Sequence, residues 1–214
     1  MPSVIEITVF RLEELSEDAR EEARSWYRER CLDYDWYDAV YDDFQRICKI
    51  LGIRLKTRTV RRMGGGTRLD PRIWFRGFFS QNDGACFEAK LSYAPSMARK
   101  IRDYAPRDTA LHKIADALQD VQRRNFYQLH ADISHSGHCD REYGMEINVE
   151  RDSPARQAMT GDAEEIITEV MRDLARELYR HLEREYEFLI SEDIVDEGII
   201  ANDYTFLENG RPFG

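Results

Sequence analysis

IWFRGFFSQNDGACFEAKLSY, residues Ile73 to Tyr93, is the stretch on which the reading of the chain turns. Before its polar centre, Ile73, Phe75, Gly77 and Phe79 alternate with Trp74, Arg76, Phe78 and Ser80. Beyond it, Ala85, Phe87, Ala89, Leu91 and Tyr93 alternate with Cys86, Glu88, Lys90 and Ser92. Period two on both sides of SQNDG predicts a β-hairpin with Phe75, Phe79, Phe87 and Leu91 on one face. Asn82, Asp83 and Gly84 suit a short connection, with Gly84 expected at positive φ.

A second hairpin is expected over Tyr127–Val149, where Leu129, Ala131 and Ile133 are mirrored by Met145, Ile147 and Val149 across the loop HSGHCDRE. A two-stranded hairpin alone is marginal in water, so the two are expected in one antiparallel sheet. The cover is expected from the longest helix, which follows Asp162, with Glu165 as its capping partner. Its stripe of Ile166, Ile167, Val170, Met171, Leu174, Leu178, Leu182, Tyr186 and Leu189 runs about 35 Å at 1.5 Å per residue.

Outward from this core, Ile5, Ile7 and Val9 suggest a short first strand. Ser16 caps a helix carrying Leu15, Ala19, Ala23, Trp26 and Tyr27, which bends or breaks near Asp33. A second helix buries Val40, Phe44, Ile47, Cys48 and Leu51 and ends at Gly52. Ile53–Val60 reads as one strand with Arg54, Lys56 and Arg58 on one face, and RRMGGGTRLDP reads as a loop. Pro95 opens a short helix, Asp108 caps another, and Ser191 starts a last one. The class is α+β: an antiparallel sheet of about four or five strands built from two hairpins, with helices mainly on one face. One domain over 1–214 is expected, with helical segment 14–52, sheet core 53–150 and C-terminal helices 162–202.

The composition, 42% apolar and 34% charged, is that of a globular protein. The absence of a long apolar run or a signal-type leader points to the cytoplasm and away from membrane partners. The four cysteines are widely separated with no CxxC pair, so free and mostly buried thiols are expected. The net charge of −10 is unevenly placed: Arg54 to Arg76 holds eight basic residues against Asp70, leaving −17 on the rest.

Three chemistries follow. His130, Asp132, His135, His138, Cys139, Asp140 and Glu142 cluster donor types that transition metals prefer, and a metal-dependent enzyme would draw on His135, His138 and Asp83. Their spacing matches no established motif, however, and the Ser or Cys neighbours of these histidines would point to opposite faces of a strand. If the hairpins pair, Gln81, Asn82 and Asp83 at one tip and His135 and His138 at the other are the candidate binding residues. Arg54, Lys56, Arg58, Arg61, Arg62 and Arg68, near aromatic rings, have the ingredients of a nucleic-acid surface, although the acidic whole repels polyanions.

Four segments carry a likeness: FRLEELSEDAREEARSWYRE, FRGFFSQNDGACFE, ISHSGHCDREYGMEINV and FLISEDIVDEGIIANDYTFLENG. Together they resemble a family of phage and prophage proteins, some labelled "antitoxin of a toxin-antitoxin stability system". The matching residues are Gly77, Phe78, Ser80, Gln81, Asp83, Gly84, Ala85, Phe87, His135, Ser136 and Gly137, none with a catalytic role. The basic segment before Trp74 lies outside the likeness. The resemblance implies a non-enzymatic, cofactor-free binding factor. Its partner would be a host or phage protein, either a toxin or a subunit of a defence complex such as a CRISPR effector. The acidic helical segments would then present carboxylates to a basic groove, as a nucleic-acid backbone presents phosphates.

Overall fold

A computed structural model describes residues 6–61, 64–137 and 139–213. In chain order its helices and strands are α1 (Glu17–Arg28), α2 (Asp38–Leu51), β1 (Ile53–Leu55), β2 (Thr57–Arg61), β3 (Thr67–Pro71), β4 (Ile73–Arg76), β5 (Gly84–Phe87) and β6 (Ala89–Leu91). There follow α3 (Met97–Tyr104), α4 (Thr109–Arg124), β7 (Leu129–His135), β8 (Met145–Arg151), α5 (Ala163–Leu189) and α6 (Glu192–Ala201). The class is α+β. A four-stranded antiparallel sheet in the order β1-β6-β7-β8 is accompanied by two-stranded ladders β2-β3 and β4-β5. No described helix is long and apolar enough to cross a membrane.

The run Ala85–Tyr93, one strand in the sequence reading, is divided between two sheets. Gly84–Phe87 pairs with β4, and Ala89–Leu91 passes between β1 and β7. Ile53–Val60 divides in the same way at Lys56, and the expected loop before Ile73 contains β3, which turns into β4 at Arg72. The three break residues bond to one another through their backbones. Arg72 N donates to Lys56 O at 2.8 Å, Lys56 N to Glu88 O at 2.8 Å, and Glu88 N to Arg72 O at 2.9 Å. Three ladders, β1-β6, β2-β3 and β4-β5, thus radiate from a closed ring of hydrogen bonds. The two expected hairpins therefore share the main sheet only through β6, and β4-β5 stands as its own ladder.

Alternation separates the faces of the main sheet. Ile53, Ala89, Leu91, Leu129, Ala131, Ile133, Met145 and Val149 are buried; Arg54, Lys90, His130, Asn148 and Glu150 are exposed on the other side. Phe44 of α2 packs edge-on against Phe87 at 5.4 Å, and α5 buries Ile167, Val170, Met171, Leu174, Leu178 and Leu182. Gly52 ends α2 at φ +79°, where a Cβ would lie 2.2 Å from the Ser92 carbonyl. The buried Gln122 amide clamps the start of β7, donating to Leu129 O at 2.8 Å and accepting from Leu129 N at 3.2 Å. Asp162, which precedes α5, accepts a hydrogen bond from Arg124 Nη1 at 2.6 Å.

The turn of the first hairpin differs from expectation. Its loop covers residues 77–83, Phe79 lies in it at 85% exposure, and Gly84 is a strand residue without positive φ. The left-handed position is Gly77, at φ +51°. Asp83 closes the loop, its Oδ2 accepting from Phe79 N at 2.8 Å and Ser80 N at 2.7 Å.

Contacts divide the chain into two compact units, residues 39–183 and residues 1–38 with 184–214. In the second, Leu12, Leu15, Ala19, Ala23, Val195, Ile199 and Phe206 form one core edged by Phe10, Trp26 and Tyr27. Ser16 caps α1 as expected, accepting from Ala19 N. Arg24 is buried and grips Asp196 with two hydrogen bonds of 2.7 Å. The first strand expected from Ile5, Ile7 and Val9 is not formed by residues 6–9; Phe10 alone bridges to Phe206, and Ile5 lies outside the described residues.

Candidate functional site

The polar phase of the main sheet lines a groove of about 710 Å³. Arg54 of β1 lies opposite Lys90 of β6, Lys90 opposite Asp132 of β7, and Asp132 opposite Asn148 of β8, so one row of side chains crosses all four strands. His130 and Glu150 form the next pair, and Gln45 and Lys49 of α2 also line the groove. Asp132 is the hub: Lys56 Nζ donates to its Oδ1 at 2.6 Å, and Lys90 Nζ lies 3.9 Å from its Oδ2. Both signs of charge therefore lie within a short distance of one another, and Arg54 is exposed.

The basic band is divided by the strand breaks. Arg54 faces the groove, Lys56 sits at the junction, and Arg58, Arg61 and Arg68 belong to the β2-β3 ribbon; Arg62 lies outside the described residues. Arg58 and Arg61 are exposed, whereas Arg68 pairs with Asp70 at 2.6 Å. The single strand expected to carry Arg54, Lys56 and Arg58 is thus split between two ladders.

The hairpin tips do meet. Arg141, in the segment between β7 and β8, donates from Nη1 to the Gln81 carbonyl at 3.0 Å and lies 3.4 Å from Asn82 Oδ1. Asp83 is occupied in closing its own loop, and His138 lies outside the described residues. His135 ends β7 on the side opposite His130, its ring against Trp74 with centroids 4.6 Å apart. Its Nε2 is 3.0 Å from the Cys139 carbonyl and 3.4 Å from Asp140 Oδ1, and its backbone N–H donates to Glu88 Oε1 at 3.3 Å.

Cys86 completes this cluster; in the sequence it falls in the phase of Glu88 and Lys90, but all four residues of β5 are buried, so alternation there gives no inside-outside signal. Burial first, and then the neighbouring Asp140, Cys139 and Glu88, pushes its thiol up to about 12. Cys86, His135 and Asp140 each offer a donor atom within 4.8 Å of the other two. Glu142, from the same sequence cluster, turns away to Arg176 at 3.3 Å. All four cysteines are free thiols.

No curated protein and no solved structure was found to match the chain. A family profile, described as a domain of unknown function (DUF8835), matches residues 36–192, a span that contains the groove, the ribbon and the Cys86 cluster. With well over half of its length matched, the chain belongs to the DUF8835 family.

Proposed function

We propose that the protein is a non-catalytic binding factor that docks a partner protein on the groove of its four-stranded sheet. The observation that carries this reading is the row Arg54, Lys90, Asp132, Asn148, with Glu150 beside it. A polyanion would be repelled by Asp132 and Glu150, whereas a protein surface of mixed charge can complement both signs. The resemblance to phage and prophage proteins labelled as antitoxins supports a toxin, or a subunit of a host defence complex, as partner. The net charge of −10 favours a partner that is basic overall, with acidic residues where it meets Arg54 and Lys90.

The test compares the full chain with an Arg54→Glu/Lys90→Glu variant in cross-linking with host proteins. The reading requires one protein taken at stoichiometric yield by the wild type, cross-linked to groove residues and lost from the variant. A charge reversal at the exposed Arg99 of α3 should leave capture intact. Equal capture by both groove forms, or none by either, counts against it.

A second reading rests on the β2-β3 ribbon, whose Arg58 and Arg61 are exposed and directed to solvent. Two-stranded ribbons enter nucleic-acid grooves, and cations on them neutralise phosphates. Binding of a DNA or RNA duplex that falls steeply with salt and disappears in Arg58→Glu/Arg61→Glu, but not in the groove variant, would select it.

A further inference from the structure

We propose that Cys86, His135 and Asp140 hold one zinc-class divalent ion, tying the β4-β5 ladder to the end of β7 and the segment that follows it. The donors come from three separate pieces of chain, β5, the last residue of β7 and the loop beyond, and fall within 4.8 Å of one another. Zinc bonds of roughly 2.0–2.3 Å in a tetrahedron separate neighbouring donors by about 3.3–3.7 Å. His135 Nε2 and Asp140 Oδ1, 3.4 Å apart, already stand at that separation. A rotation of side chains by about 1 Å closes the remainder. The mixture of sulfur, nitrogen and oxygen favours zinc or a similar borderline ion over magnesium or calcium, which take oxygen donors.

The surroundings suit an ion. The Trp74 ring lies against the imidazole, tilted by 33° with centroids 4.6 Å apart, and restricts its rotation. Exposure is graded: Cys86 is fully buried, the His135 side chain is 10% exposed and that of Asp140 37%, so entry is from the Asp140 side. Three protein donors leave the fourth tetrahedral position to water on that side. On binding, the Cys86 S–H proton leaves to solvent as the S–metal bond forms. The imidazole N–H that faces the Cys139 carbonyl is exchanged for one on Nδ1, freeing the Nε2 lone pair. The thiolate and the Asp140 carboxylate together balance the dication.

This inference is independent of the groove reading, and its test does not use a partner. Metal-free full-length protein is titrated with Co²⁺, whose thiolate complexes show a sulfur-to-cobalt charge-transfer band. One equivalent should produce that band with the ligand-field spectrum of a tetrahedral site. Cys86→Ser should abolish the band, Asp140→Asn should weaken binding at least tenfold, and Cys31→Ser and Cys139→Ser should leave it in place. Zn²⁺ should raise the melting temperature of the wild type and not that of Asp140→Asn. Should Cys86→Ser not fold, the surface variant Asp140→Asn decides. Absence of the band, its loss in Cys139→Ser, or unchanged affinity in Asp140→Asn overturns the proposal.

Discussion

Arg72 and Glu88 are joined twice: the Glu88 N–H donates to the Arg72 carbonyl at 2.9 Å, and Arg72 Nη1 donates to Glu88 Oε2 at 2.7 Å. Burial works against the charged form of Glu88, but the bonds from Arg72 and the His135 N–H, with the charges of Arg72 and Lys56, outweigh it and hold the carboxyl below its ordinary value. A depressed carboxyl contributes stability that is complete above the unfolded value near 4.5 and is lost as pH falls through the lower folded value.

Glu88→Gln should therefore cost about 1–2 kcal/mol at neutral pH, less than a fully buried pair because Arg72 is nearly half exposed. Urea denaturation on both sides of pH 4.5 checks it: the difference between wild type and variant should shrink on the acid side.

Gly77→Ala should destabilise the protein by about 1–2 kcal/mol, because the new Cβ meets a left-handed backbone and lies 2.6 Å from Asp83 Oδ2. Asp83→Ala, which strips two N–H groups of their acceptor, should cost about 1–2 kcal/mol. The double variant should lose less than the sum, since both changes undo one loop; denaturation midpoints of the four proteins supply the cycle.

Removing the Gln122 side chain as Gln122→Ala should cost about 2–4 kcal/mol, since the amide satisfies both the N–H and the carbonyl of Leu129 in a buried site. Amide exchange at Leu129 should accelerate more than at positions within α4.

Arg24→Lys should destabilise the unit containing α1 and α6 by about 1–2 kcal/mol, although the charge is kept. A lysine cannot reproduce the paired bonds to Asp196 Oδ1 and Oδ2. The decisive reading is a loss that persists at high salt, because paired geometry rather than screened attraction has been removed.

Much of this fold can be read where one face of an element is wet and the other dry. Leu111, Ile114, Ala115, Leu118 and Val121 announce α4, and the stripe from Ile167 to Leu182 announces α5. The main-sheet strands likewise show Leu129, Ala131 and Ile133 in one phase and His130 and Asp132 in the other. β3 escapes because Leu69, its one aliphatic residue besides Pro71, is exposed, so Thr67–Pro71 carries no apolar alternation. The breaks at Lys56, Arg72 and Glu88 escape because backbone groups make them, and any residue type has those groups. The groove follows from polar phases already visible at Lys90, His130 and Asp132, but setting Arg54 beside Lys90 needs the strand register. His135 and Asp140 stand in one sequence cluster of donor residues, whereas Cys86 is brought to them only by the packing of β5 beside β7.

The ring formed by Lys56, Arg72 and Glu88 also sets an order of assembly. Arg72 lies sixteen positions after Lys56, and Glu88 sixteen positions after Arg72, so consecutive corners lie one hairpin apart. The ladders β2-β3 and β4-β5 each close over a short loop, and such local closures are the fast ones. Once both are made, the chain between β1 and β6 has already been drawn together, and their pairing no longer carries the full entropy of a long loop. The most sequence-distant edge of the junction is thus the last and cheapest to close, and β6 reaches β7 as part of a preassembled template.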